Sequence, residues 1–394
     1  MFAANQALDI RTVVEYRGLR EFLEITSELE YQRLVNVIPM DAETKILRSR
    51  LNGAIIKDYG EFGGRGHYEE PQFFDVPISV SYQKGGLQMR EAYFEDNGIY
   101  GKLGVSAAAE WSEDVMVAAA YWPQRQSIAL LRSGHSTTFL TGPTYGKPIG
   151  NSYDGVPLFS RSHPYNWQAT GLGYFSNIFY GGSPVDGRGV DVASQGSGSI
   201  TAPGFCPLAG PFGTAGAQVT PAAALDNLYK VIAYVMSIKM PDGVTPRFLK
   251  PTTIVCGPKL KENVDIITNA QFIAAQAGAS SSGSMELRAV MTKLGLKAPL
   301  YFSELSGNTD IDADEDYDWY LHCEDQAARS RYGSVIFGPR KPFRLQMFAP
   351  TSGSEGVNLE LAEQNLIKWI NEGRSGVAVG LPQFIFKNTY GSHA

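Results

Sequence analysis

Cysteine and histidine are the scarce residues of this chain, and their scarcity removes most metal and nucleophile chemistry. Among 394 residues there are three cysteines, Cys206, Cys256 and Cys323. An odd count with no C-x-x-C spacing supports neither a disulfide framework nor a zinc site. The five histidines, His67, His135, His163, His322 and His393, show no ligand spacing, and neither G-x-S-x-G nor H-E-x-x-H occurs. No window approaches ~18 continuous apolar residues, and no basic stretch followed by an apolar core opens the chain, so neither a membrane span nor a signal peptide is expected. Positive charge is in deficit as well: 34 Lys and Arg stand against 40 Asp and Glu, a formal net charge of −6. Binding DNA without sequence preference needs a basic surface that releases counterions, and this balance argues against it.

What the chain does have is apolar bulk. With 43% hydrophobic and 11% aromatic residues it can bury a large core, and its length predicts two or three subdomains. No signature of disorder appears in its overall composition. Gly142-Pro143-Thr144-Tyr145-Gly146-Lys147 comes near a phosphate loop but is one residue short between the glycines, and Pro148 stands where the metal-binding hydroxyl belongs. Asp310, Asp312, Asp314, Glu315, Asp316 and Asp318 form the only dense carboxylate cluster. The alternation of Asp310, Asp312 and Asp314 makes them a calcium candidate. Against it, Glu315 replaces the glycine of an EF-hand loop and Leu321 its bidentate glutamate. A solvated acidic loop, or an electrostatic contact between subunits, is the other reading. No catalytic residue and no cofactor is expected.

Periodicity divides the chain. Residues 1–47 mix short apolar patches with charges and predict an arm with a helix near Tyr16 to Ile25. Phe74, Val76, Ile78, Val80 and Tyr82 alternate with polar residues and proline, Lys84-Gly85-Gly86 offers a turn, and Leu87 to Phe94 returns, which predicts a β-hairpin within 48–97. Such a hairpin needs another surface to lie on. Ile99 to Arg132 is the strongest helical stretch, with Leu103, Ala107, Trp111, Val115, Ala118 and Trp122 as its apolar stripe. Pro123 predicts two helical pieces meeting near Trp122. Asp154-Gly155 reads as a tight turn, Val156 to Phe159 as a short edge strand, and Ser160 to Pro164 as a loop. Residues 165–219 are rich in Gly, Ser, Ala and Pro and read as an insertion pinned by aromatics. Thr220-Pro221 opens a helix as cap and first residue, Thr252 to Cys256 is a strand, and Gly257-Pro258 opens another helix.

Three strings carry a resemblance: D-G-V-P-L-F-S-R-S-H-P from Asp154 to Pro164, F-L-K-P from Phe248 to Pro251, and W-Y-L from Trp319 to Leu321. In that order, after an Ala-rich helix, they resemble the major head subunit family of Mu-like tailed phages and prophages, with the HK-ninety-seven-type capsid fold. The resemblance implies an α+β fold. Its expected parts are an N-terminal arm (1–47), an extended β-hairpin loop (48–97) and a peripheral domain beginning at 98–164 with a spine helix at 99–132. After the insertion (165–219) come an axial domain (220–338) and strands returning to the peripheral domain (339–394). Lys84, Gly85 and Gly86 are then the expected loop tip, and Trp122 and Pro123 the expected spine hinge.

The implied function is a major capsid protein that self-assembles as hexamers and pentamers into an icosahedral head around double-stranded DNA. Its place would be the virion, after assembly in the host bacterial cytoplasm. Expected partners are copies of itself, a maturation protease, a portal protein and a decoration protein, with no membrane contact. Because strand character begins at Ile55, there is no room for an N-terminal scaffolding segment, and a separate scaffold protein is expected. The alternatives left open are another virion structural protein, such as a tail sheath or decoration protein, and a calcium-dependent hydrolase.

Overall fold

Two sheets and one long helix organise the chain. The computed structural model describes residues 4–50, 73–90, 99–168, 170–180, 191–192, 200–201, 221–269, 272–276, 285–289, 296–311, 315–325, 333–348 and 366–389. Helix α1 (Ala4–Glu28) leads to strands β1 (Val35–Val37), β2 (Thr44–Arg50), β3 (Phe73–Ser79) and β4 (Ser81–Arg90), then to helix α2 (Ile99–Ser133). Short strands follow: β5 (His163–Pro164), β6 (Tyr174–Phe175), β7 (Ile178–Tyr180), β8 (Asp191–Val192) and β9 (Ile200–Thr201). Helix α3 (Pro221–Met236), β10 (Leu249–Cys256) and helix α4 (Lys261–Asn269) precede β11 (Phe272–Gln276), β12 (Met285–Ala289), β13 (Leu300–Tyr301) and β14 (Trp319–Asp325). The chain closes with β15 (Val335–Phe348), β16 (Leu366–Val379) and β17 (Ile385–Thr389). The class is α+β.

One sheet has the order β1-β15-β16-β4 and the other β13-β10-β14-β17-β7. Ile128, Ala129, Leu130 and Leu131 of α2 share a core cluster with Val335, Phe337 and Val379 of the first sheet and Val255, Tyr320 and Ile385 of the second. The last turns of α2, from Gln126 to Ser133, are thus buried on every side because they lie between two sheets. On the other face of the five-stranded sheet, Leu228, Val231 and Val235 of α3 and Val264 and Ile267 of α4 pack with Ile254, Leu321 and Phe386.

The expected hairpin is formed differently. Phe74, Val76 and Ile78 are buried and their neighbours exposed, as a half-buried strand requires. However, β3 pairs with β2, from Thr44↔Ser79 to Arg50↔Phe73. The chain then bends at Val80, whose N–H donates to Glu43 O at 2.9 Å, and β4 pairs along its whole length with β16. Lys84, Gly85 and Gly86 are therefore not a loop tip: they stand opposite Glu372, Asn371 and Ile370 inside a strand. Neither glycine has the positive φ that a hairpin turn of that kind demands. Pairing with a 14-residue strand outweighed the local turn preference of Lys-Gly-Gly. The chain between β2 and β3 lies outside the described residues.

Helix α2 also departs from expectation. It is one continuous element of 35 residues with Pro123 inside it, not two pieces. Its buried face carries Ala108, Ala109, Ser112, Met116, Ala119 and Ala120, whereas Ala107 and Ala118 are exposed and Trp111, Val115 and Trp122 half-buried. Small residues chose this face because α1 approaches closely. Ser112 Oγ donates to Val14 O at 2.9 Å, and a Cβ on Gly18 would stand 3.0 Å from Met116 Cγ and 3.1 Å from Ser112 O. The arm is accordingly a 25-residue helix laid on α2 rather than an extended segment with one short helix.

Two expected boundaries shift. Phe175, Ile178 and Phe179 are buried, and β7 pairs with β17, so Ile178–Tyr180 belongs to the five-stranded sheet and not to an insertion. Strand β17 joins that same sheet through β14, so of the returning strands only β15 and β16 enter the first sheet. Helix α3 begins at Pro221 and β10 covers Thr252 to Cys256, as the proline and the β-branched run predict.

Replacing Gly18 by leucine should prise α1 from α2. Overpacking of this kind costs about 1–3 kcal/mol, read as faster amide hydrogen exchange along α1. Unchanged protection would mean that this contact does not seat the helix.

Candidate functional site

The motif segment 151–164 is a knot of internal bonds. Gly155 takes φ +79 in the tight turn, Gly155 N–H donates to Ser152 O at 3.0 Å, and Ser152 N–H donates to Val156 O at 2.8 Å. Val156 to Phe159 form no strand. Instead Leu158 and Phe159 drop into the core beside α2, and Phe159 N–H donates to Gly134 O at 2.8 Å, just past the helix end. Proline at 157 and this inward plunge leave no ladder for an edge strand to join.

Asp154 and His163 close the loop. Both are buried, with His163 Nδ1 2.6 Å from Asp154 Oδ2 and Nε2 3.2 Å from Leu158 O. Each ring nitrogen lies within hydrogen-bond distance of an oxygen. His163 also stacks on Phe175 with centroids 5.2 Å apart. Tyr153 donates its hydroxyl to Pro164 O at 2.8 Å and accepts from Gln383 Nε2 at 2.9 Å. Burial pushes that phenol well above its ordinary pKa.

Asn177, which sequence reasoning missed, fastens this loop to the sheet. Its side-chain N–H groups donate to Leu158 O at 2.7 Å and Pro382 O at 3.2 Å. Its side-chain oxygen accepts from Ser160 N at 2.9 Å, and its backbone oxygen accepts from Lys387 N at 2.8 Å. Nothing local in the string around it distinguishes this asparagine from a loop residue. The near-phosphate loop is structural too: Gly142 adopts φ +85, and a Cβ there would lie 2.7 Å from Ala129 Cβ.

The described residues of the acidic cluster meet cations. Arg132, at the end of α2, is buried and forms a two-pronged pair with buried Glu315, one prong being Nη2 to Oε2 at 2.9 Å. Its Nη2 also meets Asp310 Oδ2 at 3.2 Å, and Thr141 Oγ1 donates to the same oxygen at 3.0 Å. Burial opposes the charge on Arg132, but the two carboxylates outweigh it and hold the guanidinium above its ordinary pKa. Lys259 lies 3.5 Å from Asp316, and Lys387 lies 2.8 Å from Asp318 with both side chains buried. Asp310 is therefore a counterion of Arg132; Asp312 and Asp314, the other calcium candidates, lie outside the described residues. Among the described residues, no three His, Cys, Asp or Glu side chains gather as a metal group.

Trp122 and Pro123 sit where α2 passes from one-sided to all-round burial. Gln124, the next residue, is buried and donates to the Glu304 carboxylate at 2.8 Å, while Ser127 Oγ donates to Pro123 O at 2.8 Å. Burial pushes the Cys256 thiol up to about 12 and Cys323 well above its ordinary value, so neither is a nucleophile near neutrality.

No protein-family model and no curated protein matches this chain. Among solved structures it is similar to a chain of Mycobacterium phage Adephagia, at 12% identity over 92% of this chain and 90% of that one, with a TM-score of 0.40. A chain of the capsid of an empty GTA particle gives 11% identity, coverage of 92% and 89%, and a TM-score of 0.43. The procapsid of bacteriophage JBD30 gives 12%, 98%, 76% and 0.38 in the same order. These scores are low, and the functional reading below rests on this chain's own residues.

Two outcomes follow from the buried charges. Glu315→Gln should lower the stability of the protein by about 3–5 kcal/mol in urea denaturation, because it strips a buried arginine of its main partner. Arg132→Met combined with Glu315→Leu should recover much of that loss; equal stability of Glu315→Gln and the parent would exclude this role for the pair. His322 supplies the pH dependence. Burial, with opposing smaller effects of Glu324 and Lys297, lowers its pKa to about 4, against ~6.5 when unfolded. The stability it contributes is complete above ~6.5 and is lost as pH falls through 4, about 3 kcal/mol in all. His322→Gln should flatten the urea midpoint across that window, and an unchanged slope would place the acid sensitivity elsewhere.

Proposed function

We propose that this chain is the major capsid protein of a tailed phage. Copies assemble as hexamers and pentamers into an icosahedral head that encloses double-stranded DNA, and the protein resides in the virion. The observation that carries this reading is the D-G-V-P-L-F-S-R-S-H-P loop, locked by Asp154 and His163 and placed in sequence after a 35-residue helix. It lies in a chain ordered as arm helix, β2–β3 hairpin, long helix, then a second sheet with its own helices. The segment carrying the family resemblance is thus a structural fastening with its polar groups turned inward, which suits a building block.

The arm supports the same reading. Helix α1 buries Val14 and Gly18 on α2, while Tyr16, Leu19 and Leu23 are 67%, 52% and 60% exposed on its other side. Apolar rows of this kind mark protein contacts. The calcium-dependent hydrolase loses its leading ligand, since Asp310 is held by Arg132. A separate scaffold protein, a maturation protease, a portal and a decoration protein belong to the proposal as partners. No catalytic step is assigned to the chain.

Negative-stain images and native mass of the protein, expressed with its neighbouring genes, test this directly. Closed shells or five- and six-membered rings are the expected result. A monomer or dimer under every condition would refute the proposal.

A further inference from the structure

The sheet face turned away from α2 is basic on a chain that is acidic overall. Directly paired residues share a face, and the register places Lys84 and Arg90 of β4 with Lys368 and Arg374 of β16. It adds Lys341 and Arg344 of β15, which pair with Arg374 and Glu372. Among the described residues, Glu372 and Glu43 stand beside these cations: Glu372 lies 3.7 Å from Arg374, and Glu43 reaches 3.2 Å from Arg340 and 3.9 Å from Arg374. Arg374 is held flat, its Cζ 3.8 Å from the centroid of the Tyr82 ring, and its Nε has no hydrogen-bond acceptor among the described residues. Lys84, Arg90, Lys341 and Arg344 are exposed. Among the described residues, the element crossing this face is β3, which passes over Gly376 with Ser79 O where a Cβ would be.

We propose that this face docks a carboxylate-bearing segment of a second copy of this chain; the inference rests on the shell reading above. Three observations select that occupant. The formal charge of −6 includes this basic face, so the rest of the chain carries a larger carboxylate excess than the total shows. Glu43 demonstrates the mode of contact, a single carboxylate set between two guanidiniums. Glu372 and Glu43 also stand within the face, where a protein segment can pass between them. Duplex DNA, with one negative charge per ~1.7 Å of axis, would be pressed against both.

The test co-assembles natural-abundance and ¹⁵N-labelled full-length chains, links amines to carboxylates with a carbodiimide, and sequences the linked peptides by mass spectrometry. Mixed-isotope links from Lys84 or Lys341 to Asp or Glu are expected, and Lys341→Glu with Arg344→Glu should reduce them and the assembled fraction several-fold. Mixed-isotope links at other lysines, with none at these two, would overturn the docking face and leave the shell reading standing. Mixed-isotope links nowhere would overturn both. Loss of reactivity at Lys84 and Lys341 on addition of duplex DNA alone would assign the face to nucleic acid instead.

Discussion

A guanidinium buried between two sheets is tolerated only if carboxylates meet it there, and much of this molecule is arranged around that requirement. Arg132 closes α2 at the point where the helix is enclosed by both sheets. Leaving such a charge unpaired is strongly destabilising, so the chain from 304 to 318 must return to this spot with Asp310 and Glu315. The same return brings Asp318 to Lys387 and Asp316 to Lys259. Four ion pairs thus tie one acidic segment to the long helix, to strand β17 and to the turn before α4.

The motif loop solves a related problem with neutral groups. A non-helical segment entering a core leaves backbone groups that must find partners. Here Asn177 serves Leu158, Ser160 and Pro382 at once, while Asp154 and His163 bind the loop ends together. The residues that make the string recognisable are the ones whose removal would leave buried acceptors or donors empty. That gives the string a structural role in this chain.

The sequence was legible where local physics and tertiary packing agreed. The Phe74-Val76-Ile78 alternation, the proline opening α3 at Pro221 and the β-branched strand at Thr252 to Cys256 were all visible in it. It misled where partners lay far along the chain. Lys84-Gly85-Gly86 looked like a turn because glycine favours turns, but a strand nearly three hundred residues later recruited it. The long helix buried its small side because α1 approaches at Gly18, which no spacing rule within α2 could announce. The acidic run looked solvated because its counterions, Arg132 and Lys387, lie remote in sequence on either side. Of the candidate residues, Asp310 is a counterion of Arg132, a distant partner that nothing in its own string announces.

Net charge shows the same limit from the other side. A total of −6 is a statement about the whole surface, whereas recognition happens on one face within about a Debye length of ~8 Å in physiological salt. Three strands meeting in register concentrate cations that are spread between positions 84 and 374 of the chain. A uniformly acidic subunit would repel its own copies, but one that gathers its cations on one face and leaves its carboxylates elsewhere can attract them. Contacts between unlike patches of this kind are head-to-tail, and head-to-tail contacts close into rings when the rotation permits. Segregated charge on a subunit with net charge of one sign is therefore compatible with both solubility before assembly and directed contact during it.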